Sequence, residues 1–217
     1  SGITTQEGIE KLEANPNVEK VYKSVPVYAF LSESVPMING TLVHDKQIQN
    51  ENVISVNLTG LDQTICVIDT GVDYERSGMG GCFGAGCKVV DGWNWVDNKQ
   101  DPMDDNFHGT HVASIAASND STYKGVAPDA RIIALKVLDF NGGGSSADAI
   151  AALDWCSGNR TVYNITTVVM SLGDSVNHTS YCDSSDDSGL AAAASDAAAQ
   201  GLFIAVASGN SRNSTGI

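Results

Sequence analysis

Two short segments carry side chains that together could do nucleophilic chemistry. Val67-Ile68-Asp69-Thr70-Gly71 ends an apolar run in a carboxylate, and His108-Gly109-Thr110-His111 opens a second motif with an imidazole. A carboxylate that holds an imidazole in one tautomer lets that imidazole take the proton of a hydroxyl nucleophile. A third segment, Ser208-Gly209-Asn210, follows another apolar run and ends in a carboxamide. Its N–H groups could donate to the oxyanion that forms during attack on a carbonyl. Taken singly, Asp69 reads as a turn carboxylate and Asn210 as a turn residue. Together, with glycines shaping the backbone around each, they are the equipment of acyl transfer. Zinc held by His108 and His111 is disfavoured, because helical zinc ligands fall at i and i+4 with a Glu nearby. His111 is expected to pack inside, and His44 and His178 to lie on the surface. The acidic group Asp101, Asp104 and Asp105 reads either as a solvated loop or as a cation site.

The elements that must position these groups alternate in type. Residues 64–69 form a continuous apolar run, as in a parallel strand covered on both faces. Strands are also predicted at 88–95, 131–138, 167–172 and 202–207. Helices are predicted at 108–118, from a Ser145 or Ser146 cap to about Cys156, and at 190–200, where Gly201 stops an Ala-rich run. Strand, helix, strand order specifies an α/β fold with a doubly wound, mainly parallel sheet. Asp69, His108 and Asn210 would then gather at the carboxyl edge of that sheet. Residues 1–33 differ in character: a helix at 6–14 ended by Asn15-Pro16, then strand-like composition over 18–30. One helix and one strand cannot bury a core alone, so this piece must dock on something. Residues 32–52 read as a surface connection with a helix-capable stretch at 38–43.

Composition sets outer bounds. The 217 residues are 42% hydrophobic, enough for one large domain with a core, and carry a net charge of −14. Such a charge argues against nucleic acid or an anionic membrane as partner. No apolar run approaches the ~20 residues of a membrane-spanning helix. Asn-x-Ser/Thr sequons begin at Asn39, Asn57, Asn119, Asn159, Asn164, Asn177 and Asn213, which points to a secreted glycoprotein. Of the five cysteines, Cys82 and Cys87 bracket a short loop and are expected to bridge. Cys156 and Cys182 are candidates for a second disulfide, and Cys66, inside the first strand, reads as a buried free thiol. A metal site at Cys82 and Cys87 would lack a second ligand pair.

Asp69-Thr70-Gly71, His108-Gly109-Thr110-His111-Val112-Ala113, Gly125-Val126-Ala127-Pro128 and Ser208-Gly209-Asn210 resemble, in order and spacing, the landmarks of the subtilisin-like serine proteases, the subtilase family. The resemblance covers residues 34–217, the N-terminal portion of a catalytic domain with a subtilisin-like fold incomplete at its C-terminal end. Residues 1–33, chiefly 8–21 and 25–30, resemble the second half of that family's inhibitory propeptide. The implied protein is a secreted or cell-surface endopeptidase made as a zymogen, acting on peptide or protein substrates. By the same resemblance Asp69 is the catalytic acid, His108 the general base and Asn210 the oxyanion donor. Ser171-Leu172-Gly173 and Gly142-Gly143-Gly144 are implied as facing substrate-binding strands, with Ser208 and Gly209 beside them.

Catalysis in this family implies no cofactor. Structural calcium is common in relatives, but the stretch 117–124 is short, and its ligands stay unassigned. Phe107 departs from the Gly or Ser that usually precedes the histidine. The nucleophilic serine is expected from a segment beyond Ile217, so this chain alone is expected to be inactive. A second reading is open: a non-catalytic structural or binding subunit of an extracellular assembly built on the same fold.

Overall fold

The structure, a computed structural model, describes residues 5–16, 35, 37–38, 40–45, 58–173 and 189–208. The strand expected at 18–30 lies outside them. Near the N-terminus, α1 (Gln6–Glu13) starts where the Thr5 hydroxyl accepts the Gly8 N–H. A short helix, α2 (Gly40–Asp45), follows. It brings His44 into a buried position, with Nε2 2.6 Å from the Val126 carbonyl oxygen. A carbonyl can only accept, so Nε2 carries the proton. His44 is thus not the surface residue expected: docking of α2 covers it.

Among the described residues the domain proper is a five-stranded parallel sheet in the order β2-β3-β1-β4-β5. Its strands are β1 (Thr64–Asp69), β2 (Val89–Asn94), β3 (Arg131–Lys136), β4 (Ile165–Met170) and β5 (Phe203–Val206). The helices between them are α3 (His108–Ala117), α4 (Ser146–Tyr163) and α5 (Leu190–Ala199). Central β1 is buried at every position, because both of its faces are covered.

Alternation along the strands divides the core in two. Cys66, Ile68, Ile133 and Leu135 face α4 and α5, packing on Ala149, Ala152, Leu153 and Ala197. Ile65, Val67, Ile132 and Ala134 face the other way, onto Ala113 and Ala117 of α3 and onto Met79. The connection from β3 to β4 carries α4 across β1, and Cys156 of α4 meets Cys66 of β1 there. They form a disulfide, with Cα atoms 6.5 Å apart. Cys66 is therefore not free and Cys156 is not bonded to Cys182, which lies outside the described residues. The inward stripe of α4 that buries Leu153 also buries Cys156 directly over Cys66. Cys82 and Cys87 pair locally as expected, which removes them as metal ligands.

Helix α4 outruns its expected end at Cys156. Gly158 is exposed and interrupts nothing, and the helix ends only at Asn164, in the left-handed conformation at φ 52°. The other strand and helix boundaries fall within two residues of expectation.

Candidate active site

Asp69 is the last residue of β1 and is fully buried. His108 is the first residue of α3, its side chain about half exposed (48%). Its Nδ1 lies 2.7 Å from Asp69 Oδ1, and the same oxygen accepts the Thr70 N–H at 2.7 Å. A carboxylate oxygen already accepting a backbone N–H requires the imidazole to donate, so the Nδ1–H tautomer is held and Nε2 is left as the acceptor. Asp69 Oδ2 is buried with no hydrogen-bond partner among the described residues. That leaves the carboxylate's charge weakly neutralised and able to stabilise positive charge developing on the ring.

Two glycines permit this approach. Gly71 turns the chain after β1 at φ 107°, and a side chain there would run into Pro102 O. Gly109 seats the first turn of α3 on the backbone of β1's end, where a Cβ would strike Gly71 O.

The start of α3 is capped from a distance. Phe107 occupies the cap position at φ 85° and provides no side-chain hydrogen bond. The orphan N–H groups of the first turn go elsewhere: Gly109 N to Thr70 Oγ1 (2.9 Å) and Thr110 N to Asp104 Oδ2 (2.9 Å). Asp104 Oδ1 also accepts from Thr70 Oγ1 (2.8 Å), Asn106 N (2.9 Å) and Phe107 N (3.0 Å), and Oδ2 from the Thr110 hydroxyl. Burial pushes the Asp104 carboxyl up, but hydrogen bonds from Thr110, Asn106 and Thr70 outweigh it and hold the group below the ordinary Asp range.

Asp104 is thus neither a solvated loop residue nor a free cation ligand. Asp105 pairs with buried Lys136 at 2.7 Å, and Lys136 Nζ also donates to Thr70 O and Leu138 O. Asp101 accepts from the Tyr74 hydroxyl at 2.9 Å and lies 3.8 Å from Lys99 Nζ. The three acids point to separate partners, and no group of three or more His, Cys, Asp or Glu that could hold a metal ion occurs among the described residues.

His111 does not pack inside. The buried stripe of α3 is Gly109, Ala113 and Ala117, and His111 falls between the first two on the opposite side. It is exposed and lines a groove of about 600 Å³ with Phe107, Ser114 and Met79, a groove that His108 does not line. Sequence reasoning missed the roles of Asp104, Thr70 and Thr110. The available signal was an acidic residue shortly before a helix whose own cap position holds a phenylalanine.

The expected rims follow the strands on either side of β1. Gly142, Gly143 and Gly144 come after β3 in a loop that closes back on itself: Asp139 N donates to Gly143 O, and Gly144 bridges Leu138. Ser171, Leu172 and Gly173 continue β4, with Leu172 partly buried against the core. Ser208 follows β5, while Gly209 and Asn210 lie outside the described residues. Of the sequons, Asn119 is exposed beyond α3, Asn159 donates from within α4 to Trp155 O, and Asn164 caps α4 and donates to Asp62 O. Asn39, Asn57, Asn177, Asn213 and His178 lie outside the described residues.

Residues 60–216 match the family model described as the subtilase family, peptidase S8. A thermophilic serine proteinase of Bacillus sp. (strain AK1) is 39% identical over 153 residues, covering 67% of this chain and 35% of that protein. Serine protease AprX of Bacillus subtilis (strain 168) is 32% identical over 203 residues, 90% of this chain and 42% of that one. Thermitase of Thermoactinomyces vulgaris is 35% identical over 157 residues, 71% and 50% of the two chains. Among solved structures, a cold adapted subtilisin-like serine proteinase superposes with a TM-score of 0.57 at 30% identity, over 78% of this chain and 54% of that one. The chain spans half or less of the length of these three curated relatives.

Proposed function

The chain belongs to the subtilase family, and from that premise we propose that it provides the acid–base half of a serine endopeptidase. The observation that carries the reading is the 2.7 Å contact from His108 Nδ1 to buried Asp69. In the proposed reaction, Nε2 of His108 removes the proton from a serine hydroxyl as its oxygen attacks a peptide carbonyl. Asp69 stabilises the imidazolium that results. Asn210 donates to the tetrahedral oxyanion, worth about 3 kcal/mol in such sites. Collapse of the intermediate transfers the proton from Nε2 to the leaving amine, and water, activated by the same nitrogen, releases the acyl group.

The serine comes from a segment beyond Ile217. This reading is supported by the relatives' greater length and by the α3-side face of β5, which no described residue covers at Phe203, 68% exposed. The rims after β3 and β4 would hold the peptide as an added strand. Residues 1–33 act as a propeptide-like piece. The sequons and the disulfides support an extracellular, glycosylated setting.

The test is fluorophosphonate labelling of the full-length protein and its H108A variant. Label on a serine beyond Ile217, with peptide hydrolysis reduced about 10⁴-fold or more in the variant, is the expected result. A folded full-length protein that takes no label would overturn the reading in favour of a binding or structural subunit.

A further inference from the structure

Outside the Asp69–His108 pair, Asp104 is the most heavily hydrogen-bonded carboxylate among the described residues, and its partners lie just after β1, just before α3 or in the first turn of α3. It accepts five hydrogen bonds, from Thr70, Asn106, Phe107 and twice from Thr110. Thr70 adjoins Asp69, and its hydroxyl, while donating to Asp104, accepts the N–H of Gly109 beside His108. Thr110 in turn accepts the Asp73 N–H at 2.8 Å, closing a second link to the chain after β1. One carboxylate therefore fastens the end of β1 to the start of α3 on both flanks of the acid–imidazole contact.

We propose that Asp104 is a positioning residue: it fixes the Nδ1–Asp69 hydrogen bond by tying the loop after β1 to the first turn of α3. It acts through Thr70 and Thr110 and touches neither reacting group. The physical need is specific. Phe107 provides no side-chain cap for α3, so without Asp104 the first turn loses the one acceptor for Thr110 N among the described residues. The turn would then be free to rotate His108 off Asp69. A displacement of about 1 Å at such a site costs on the order of 10²-fold in rate. The inference rests on the proposed function only where turnover is measured, since the hydrogen bond itself is observable without it.

The test uses the full-length protein carrying D104N, with Y163F as a control. Tyr163 donates its hydroxyl to Asp91 at 2.5 Å, and its backbone lies at the opposite, entering end of β4. Asparagine keeps the shape of the side chain but turns one acceptor into a donor facing donors. Below the unfolding transition of both variants, the downfield proton resonance of the His108 Nδ1–H is expected to vanish or broaden in D104N and to persist in Y163F. Turnover should fall about 10- to 100-fold in D104N with KM within about twofold.

If D104N does not fold, T70V decides, because it severs the link to Gly109 while leaving Thr110 capped. It should lose the same resonance. Retention of the resonance in a folded D104N or T70V would overturn the proposal and leave Asp104 a stabilising cap alone. Loss of the resonance in a protein whose wild type takes no fluorophosphonate would uphold the positioning role and sink the protease reading.

Discussion

Phe107 sits where the backbone asks for glycine. Its φ of 85° places a bulky side chain in the left-handed region, which costs an L-residue roughly 1–2 kcal/mol. The ring is 80% exposed, so burial returns little of that cost. F107G should relieve the strain while widening the unfolded ensemble, for a net gain of about 1 kcal/mol in thermal unfolding. F107A is the control: it removes the ring but keeps Cβ, and should bring no comparable gain. If alanine stabilises as much as glycine, the backbone is not the source of strain. The same residue marks what the sequence could disclose. A phenylalanine before the histidine was visible as a departure, but its conformation was not. Asp69 and His108 were legible because flanking glycines and an apolar run fixed their setting locally. His44 and His111 were misjudged, since their burial depends on which distant segment lies against each: the Val126 loop covers the first and nothing described covers the second. Asp104 was grouped with its neighbours as one acidic cluster, although the turn aims the three side chains at separate partners.

Strand entry is strapped by a half-buried lysine. Lys88, immediately before β2, donates from Nζ to Pro128 O (2.6 Å) and Ala130 O (2.8 Å), the residues that lead into β3. Backbone pairing from Ile132 N to Lys88 O reinforces the same junction. Desolvation lowers the ammonium's pKa from 10.5 to about 8, with Asp129 partly opposing the shift. The unfolded chain therefore holds a proton that the folded chain has released across pH 8 to 10.5, and unfolding takes one up. Stability contributed by this group must rise with pH over that interval. K88M should abolish that part of the slope when ΔG of unfolding is compared with wild type at several pH values. Parallel slopes in the two proteins would show that Lys88 keeps an ordinary pKa. The paired strands were legible because β1 and β3 are runs of apolar residues bounded by polar ones. The end of α4, expected near Cys156, was not: the helix runs on through exposed Gly158, where a glycine weakens a helix by only about 1 kcal/mol. Packing of Trp155 against Tyr163 across that glycine, with ring centroids 5.8 Å apart, supports the helix onward.

The order β2-β3-β1-β4-β5 puts β1 at the centre, so every connection that carries a site residue starts or ends beside it. Asp69 is held by the α3 contacts on one face of the strand it ends, and the layer of α4 and α5 covers the other face at Ile68. The Cys66–Cys156 disulfide pins that second layer to β1 only three residues before Asp69. Sequence spacing could not reveal this pairing, because the two cysteines meet only after α4 has crossed the sheet. The nearer-looking partner in sequence was Cys182. The two bridges close very different loops, with sequence separations of 90 and 5. In the chain-entropy account the long one restricts the unfolded chain by about 4.5 kcal/mol and the short one by about 2 kcal/mol. The C66A/C156A pair should therefore lower the urea-unfolding free energy at least twice as much as C82A/C87A. Equal losses would mean that the long bridge does not constrain the unfolded chain. Peptide mapping under non-reducing conditions gives a second check: a Cys66–Cys156 link is expected, and a Cys156–Cys182 link would refute the pairing. If the bridge holds, the carboxylate at the end of β1 rests on a strand anchored covalently on one face and by the Asp104 network at its tip. A buried acid can then keep its place while the half-exposed imidazole opposite it remains open to a substrate.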